Sequence, residues 1–304
     1  MPAGGTGPGR SDTTDAARIR LAGALRDAGR VPRRTIQDAF LAVPRHLFLP
    51  ELTPSAAYRD EALVIKFGDD GLPLSSSSQP SMMAIMLEQL RLWPGQRVLE
   101  IGTGTGYNAA LIAHLVGRAG SVVSVDIDPE LVTRATASLA AAGYESVRVC
   151  CRDGGYGDPS HAPYDRIIVT AGAWDIASAW LDQLGPGGIL VLPLSVRGTQ
   201  LSVALERSGD HWVATSACRC GFIRMTGPFA GPEAFTQLGP GRYVQVDDGK
   251  PVDASALSAA LAGPVAEVRT DLTATDPGAV ADLDLWLTIT EPGLDRIALM
   301  TKET

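Results

Sequence analysis

From Arg97 to Pro193 the chain alternates short apolar runs with helix-length stretches, and this rhythm restricts the fold more than any other feature. RVLEI (97–101), SVVSVDI (121–127), SVRVC (146–150), YDRIIVT (164–170) and GGILVLP (187–193) read as strands, most of them too apolar to leave a face in water. Helices are expected over Asn108–Val116, Pro129–Ala141 and Ile176–Leu184. Such repeats build a mostly parallel sheet with helices on both faces. QLSVALER and HWVATSACR flank a Ser-Gly-Asp turn and read as a hairpin forming the antiparallel edge of that sheet.

Around this core the pattern is looser. Residues 1–14 read as a flexible tail, followed by helices over Asp15–Ala28 and Thr35–Val43. Gly68–Ser78 is a polar, Gly- and Ser-rich loop, and Pro80 suits the first position of a helix carrying Met83, Leu87 and Leu90 on one side. GPFAGPEAF (227–235) breaks the chain. Beyond it YVQV, a helix near Ala254–Leu261, AEVRTDL and an alternating LDLWLTI strand suggest a small α+β appendage. The expected division is therefore 1–14, 15–227 and 228–304.

After the RVLEI strand comes G-T-G-T-G-Y, with Gly102, Gly104 and Gly106. Glycines at a strand end permit a sharp turn and a close ligand approach, and a second strand ends 24 residues after Gly102 in Asp126, placed to accept ribose hydroxyls. The spacing is not the G-x-G-x-x-G of dinucleotide sites, and Glu100 beside it repels a pyrophosphate. A cationic, phosphate-free ligand such as S-adenosylmethionine fits better than NAD; hydrogen bonding of Glu100 within its own loop is the structural alternative. Asp153 and Gly154 follow a further strand and reach the same edge, where an adenine amino group is readable, as does Thr170. Tyr107 follows the glycines and is a candidate cofactor contact; Asp165, at the far end of its strand, reads as structural.

A net charge of -8 argues against general nucleic-acid binding. The four cysteines follow no metal-ligand spacing, no metal site is expected, and His46, His114, His161 and His211 are scattered. No apolar run is long enough to span a membrane, and no export signal opens the chain, so a cytoplasmic location is expected.

VPRHLF, SQPSMMAIMLEQL, LEIGTGTGY, VVSVDIDPELV, RDGGYG, APYDRIIVTAGA and QLGPGGILVLP occur in that order from about Pro32 to Gly227. In these the chain resembles the protein-L-isoaspartate O-methyltransferases. The resemblance implies a class I, Rossmann-like seven-stranded fold using S-adenosylmethionine. It implies that Gly102, Gly104 and Gly106 hold the methionine half, Asp126 the ribose, and Asp153 and Gly154 the adenine region; Glu100, Thr103, Tyr107, Ile127 and Thr170 complete the cofactor-binding candidates. The family's T-I-S-Q-P loop falls on Ser76, Ser77, Ser78, Gln79 and Pro80, making Ser78 the catalytic candidate and Ser76, Ser77 and Gln79 substrate-binding candidates. Serines replace its threonine and isoleucine.

Residues 228–304 extend past the end of the ordinary repair enzymes and are similar to extended members acting on ribosomally made peptides of the lanthipeptide or graspetide type. That resemblance implies an aspartate in a precursor peptide as acceptor, leading to an aspartimide or isoaspartate, with general isoaspartyl repair as the alternative and a silent peptide-binding protein as a third. The appendage is expected beside the catalytic edge, helping to hold the peptide; the oligomeric state is left open.

Overall fold

The computed structural model describes residues 10–264 apart from Asp70, Gly198, Glu233, Pro240, Gly241, Asp247, Asp248 and Lys250, and after these only Leu283, residues 285–287, Thr290 and residues 298–301. Helices α1 (Arg10–Asp27), α2 (Arg34–Ala42) and the short α3 (Pro54–Ala57) lead to a two-stranded hairpin, β1 (Leu63–Phe67) and β2 (Pro73–Ser77). Helix α4 (Pro80–Leu90) then opens the alternating core: β3 (Arg97–Ile101), α5 (Tyr107–Val116), β4 (Ser121–Asp126), α6 (Pro129–Ala141), β5 (Arg148–Cys151), β6 (Tyr164–Val169), α7 (Ser178–Gln183) and β7 (Leu184–Val196). The hairpin β8 (Thr199–Ser208) and β9 (His211–Arg219) completes it.

The seven strands lie in the order β5-β4-β3-β6-β7-β8-β9, parallel from β5 to β7 and antiparallel at β8 and β9. This is the Rossmann-like, mostly parallel seven-stranded sheet that the resemblance implies. It explains why β3 has so little polarity: Val98 packs with α1, α2, α4 and α5 on one face, while Leu99 and Ile101 pack with Ile167 and Trp180 on the other. Both faces are dry, so alternation cannot appear in the sequence. The strand order reverses beside β3, and in such sheets ligands lie at the carboxyl ends near that point.

Three expectations are corrected. The first helix begins at Arg10, inside the expected tail. Ser75–Ser77 belong to a strand, because β1 supplies a partner through the pairs Leu63–Ser77, Val64–Ser76 and Lys66–Ser75, and cross-strand pairing outweighs the weak strand preference of serine. In LDLWLTI, Leu283, Leu285, Trp286 and Leu287 are helical. Leu283, Trp286 and Leu287 stand at i, i+3 and i+4, and leucine is a strong helix former, so the alternation over five residues was ambiguous.

AEVRTDL lies outside the described residues. Beyond the core, β10 (Ala234–Gly239), β11 (Arg242–Val246) and β12 (Ala298–Thr301) form a separate antiparallel sheet, with α8 (Ala254–Ala262) against β10. No helix among the described residues is long and apolar enough to cross a membrane.

Candidate active site

A cavity opens at the carboxyl ends of β3, β4 and β6, walled by Gly102, Gly104, Asp126, Ile127, Asp153, Gly154 and Thr170, and faced by Leu74, Ser75 and Ser76 of β2. Its floor is the glycine loop. Gly102 N and Thr103 N both donate to Val125 O, at 2.8 and 3.2 Å, which folds the loop back over β4. Gly102 has φ +99°, and a Cβ there would stand 2.7 Å from Thr170 Oγ1, whose hydroxyl donates to Gly102 O at 2.6 Å. Gly154 is equally constrained, since a Cβ would meet Ile101 Cγ2 at 2.4 Å. Only glycine leaves the cradle open at these two points.

Two carboxylates face this cradle. Asp126 Oδ2 accepts from Gly104 N at 2.9 Å and Oδ1 from Asp128 N at 3.1 Å, so its orientation is set by backbone amides. Burial nevertheless raises its pKa above the usual carboxylate value. Asp153 Oδ1 accepts from Gly155 N at 2.9 Å, and its Oδ2 is buried with no partner. An orphaned buried acceptor costs about 1–3 kcal/mol unless a ligand donor satisfies it. The exocyclic amino group of adenine is such a donor, and a cradle faced by these two carboxylates, with no Lys among the described residues of its wall, suits the phosphate-free, cationic S-adenosylmethionine.

Several expected contacts lie elsewhere. Glu100 is fully buried away from the wall: Oε1 accepts from Asn108 Nδ2 at 2.7 Å and Oε2 from Ser124 Oγ at 2.6 Å. Both oxygens are engaged inside the protein, as in the structural alternative, and burial pushes its pKa up to about 7. The Thr103 hydroxyl is in the same interior network, 2.7 Å from Ser124 Oγ. Gly106, with φ +84°, caps α5 and packs on Ala135 and Leu139 of α6. The Tyr107 ring is wholly buried between Phe40 and Phe48, because α5 turns its first residue toward the N-terminal helices.

Of the acceptor candidates, Ser76 reaches the wall, whereas Ser77 is buried and its Oγ accepts from Arg45 Nη2 at 3.2 Å. Strand alternation turns Ser77 away from Ser76. Gln79 is exposed and donates to Asp60 O at 3.1 Å. Ser78, the catalytic candidate, is half-buried just beyond β2 and is not on the cavity wall, its carbonyl accepting from Arg45 Nη2 at 3.1 Å. The four histidines bond Tyr58, Tyr144, Asp158 and Asp210, and none lines the cavity.

The sequence reading missed a whole wall. Residues 222–226 line the cavity, clamped by Gly172 N to Ile223 O at 2.8 Å and Met225 N to Gly172 O at 2.9 Å. Nothing in FIRMT carries a ligand signature; only its place after an edge strand hints at a return across the sheet end.

Comparison with known proteins bears on the family and the fold. The model of the family described as Protein-L-isoaspartate(D-aspartate) O-methyltransferase matches residues 17–229. A relative from Methanopyrus kandleri named Protein-L-isoaspartate O-methyltransferase is 40% identical over 223 residues, 73% of this chain and 94% of its own. A solved structure of a protein of the same name is 37% identical with TM-score 0.65, over 71% of this chain and 68% of that one. A second, from Plasmodium falciparum and described as a putative member in complex with S-adenosyl-L-homocysteine, shares the fold at 20% identity and TM-score 0.59, over 68% of this chain and 97% of its own. The chain belongs to the protein-L-isoaspartate (D-aspartate) O-methyltransferase family and is an S-adenosylmethionine-dependent methyltransferase.

Proposed function

We propose that this enzyme methylates the free carboxylate of an L-isoaspartyl residue in a peptide or protein. The observation that carries the reading is the shared wall between cradle and serine strand. A Cβ on Gly104 would stand 3.6 Å from Ser76 O and 3.8 Å from Ser75 Oγ, so an acceptor lying along β2 meets whatever the glycine loop holds.

Bound S-adenosylmethionine supplies an electrophilic methyl group on a sulfonium centre. In this reading Gly102 and Gly104 receive its methionine half, Asp126 and Ile127 the ribose, and Asp153 Oδ2 the adenine amino group. Thr170 holds the loop open through Gly102 O. The acceptor carboxylate is ionised at neutral pH, so no general base is required. The work left to the protein is alignment and exclusion of water. Ser78 and Ser76 orient the carboxylate by hydroxyl donation.

An aspartate in a ribosomally made precursor is the competing acceptor, suggested by the serine run and by residues 228–304. The extension does not discriminate, because the 37%-identical solved protein also carries about a third of its length outside the match. The names of the relatives favour the isoaspartyl acceptor. The test is methyl transfer to an L-isoaspartyl hexapeptide, to its aspartyl twin, and to cyclised aspartate-containing precursors, with ester mass and later water loss followed. Sequence-indifferent esterification of the isoaspartyl peptide, lost in Ser78→Ala while S-adenosylhomocysteine still binds, is expected. Esterification of normal aspartates alone would transfer the assignment to precursor tailoring.

A further inference from the structure

Among the described residues, Arg45 is the largest charged side chain that the fold buries completely. It opens the short 3-10 turn Arg45–Phe48, and its guanidinium reaches behind β2. Nη1 donates to Arg59 O at 3.0 Å, and Nη2 donates to Ser77 Oγ at 3.2 Å and Ser78 O at 3.1 Å. Nε is buried with no acceptor. Among the described residues no carboxylate hydrogen-bonds to this cation. Asp60, which acts on it at longer range, has Oδ1 engaged by Ser81 N at 2.8 Å. Below it lies the Tyr107 ring, with the guanidinium carbon 5.7 Å from the ring centroid, and that ring belongs to the first residue after the glycine loop.

Leaving a fully buried cation without an anionic partner is costly. Neutral carbonyls and a hydroxyl would hold the same segment from a neutral donor, so fixing the strand does not by itself explain a charge. We infer that Arg45 is a positioning residue whose unpaired charge, held on Tyr107 and forked onto Ser77 and Ser78, makes the acceptor strand selective for an anionic carboxylate. The inference rests on reading β2 as the acceptor wall, but needs only that the acceptor be a carboxylate. The fork sets where Ser78 sits; the charge, shielded from water on all sides, acts through low-dielectric protein on the negative group arriving in front of it. Methyl transfer then neutralises the acceptor, so the same field weakens the hold on the ester product and favours its release.

The experiment uses the full chain saturated with S-adenosylhomocysteine. It measures the Kd of an L-isoaspartyl hexapeptide and of the same peptide with the free carboxylate replaced by a carboxamide. Wild type is expected to prefer the acid. Arg45→Met should reduce that preference about tenfold or more and, in a separate turnover assay with S-adenosylmethionine in place of S-adenosylhomocysteine, raise the KM for the acid well beyond any change in kcat, with S-adenosylhomocysteine affinity within about threefold. Arg45→Lys retains charge without the fork, so it should recover the acid preference while KM stays raised. Should Arg45→Met fail to fold, Arg45→Lys and Ser77→Ala carry the test, and wild-type KM in both would overturn the inference. So would an unchanged acid-to-amide ratio in Arg45→Met. If wild type binds only aspartyl peptides, the isoaspartyl reading fails separately, and the aspartyl–asparaginyl pair applies the same criterion to Arg45.

Discussion

Replacing Glu100 by Gln tests the claim that this carboxylate belongs to the interior and not to the ligand. Burial raises its pKa from 4.5 to about 7, against the donors Ser124 and Asn108, which favour the ionised form. Since the native pKa is raised, the carboxyl contributes stability that is complete below about pH 4.5 and lost as pH rises through about 7. At about 1.4 kcal/mol per tenfold change in proton affinity, the loss amounts to about 3 kcal/mol. Glutamine suits the same cage. Its Oε1 accepts from Asn108, its amide donates to Ser124 Oγ, and the Ser124 hydroxyl turns to Thr103, 2.7 Å away. Urea unfolding of both proteins from pH 5 to pH 8 should therefore show Glu100→Gln gaining on wild type by about 2 kcal/mol or more. Other titrating groups, such as His46 and Asp126, are common to both proteins and largely cancel. S-adenosylhomocysteine affinity should change little, since Glu100 is not on the cavity wall. A stability difference independent of pH, or a large loss of affinity, would refute the reasoning.

Asp126→Ala should weaken S-adenosylhomocysteine by about 1.5–3 kcal/mol, read by calorimetric titration, if Asp126 is the charge-assisted acceptor proposed for the ribose. Asp153→Asn keeps Oδ1 for Gly155 N but sets a donor where the orphaned acceptor stood. Affinity should fall about tenfold with little change in Tm, and an unchanged affinity would remove Asp153 from the adenine subsite. Gly155→Ala would drive a methyl to 2.0 Å from the Phe229 ring, so thermal unfolding should show about 1–3 kcal/mol of destabilisation.

The strand–helix rhythm, the three glycines and the acids Asp126 and Asp153 were legible from residues alone. Each depends on local rules: apolar runs need covered faces, positive φ favours glycine, and an acid closing a buried strand emerges at the sheet edge. What stood outside such rules was decided by partners distant in sequence. Ser75–Ser77 became a strand because β1 lies beside them, and Ser77 turned inward because Arg45, 32 residues earlier, meets its hydroxyl. Glu100 shares a strand face with Val98, so its carboxylate met Asn108 and Ser124 rather than the ligand cavity. Tyr107 adjoins the glycine loop in the chain, yet the rotation of α5 delivered its ring to Phe40 and Phe48. Residues 222–226 became a wall only because the chain returns from β9 across the end of β6 and is clamped to Gly172. Sequence determines which backbone conformations and which burial a segment tolerates; the direction in which a polar side chain is used depends on long-range packing, which supplies its hydrogen-bond partners.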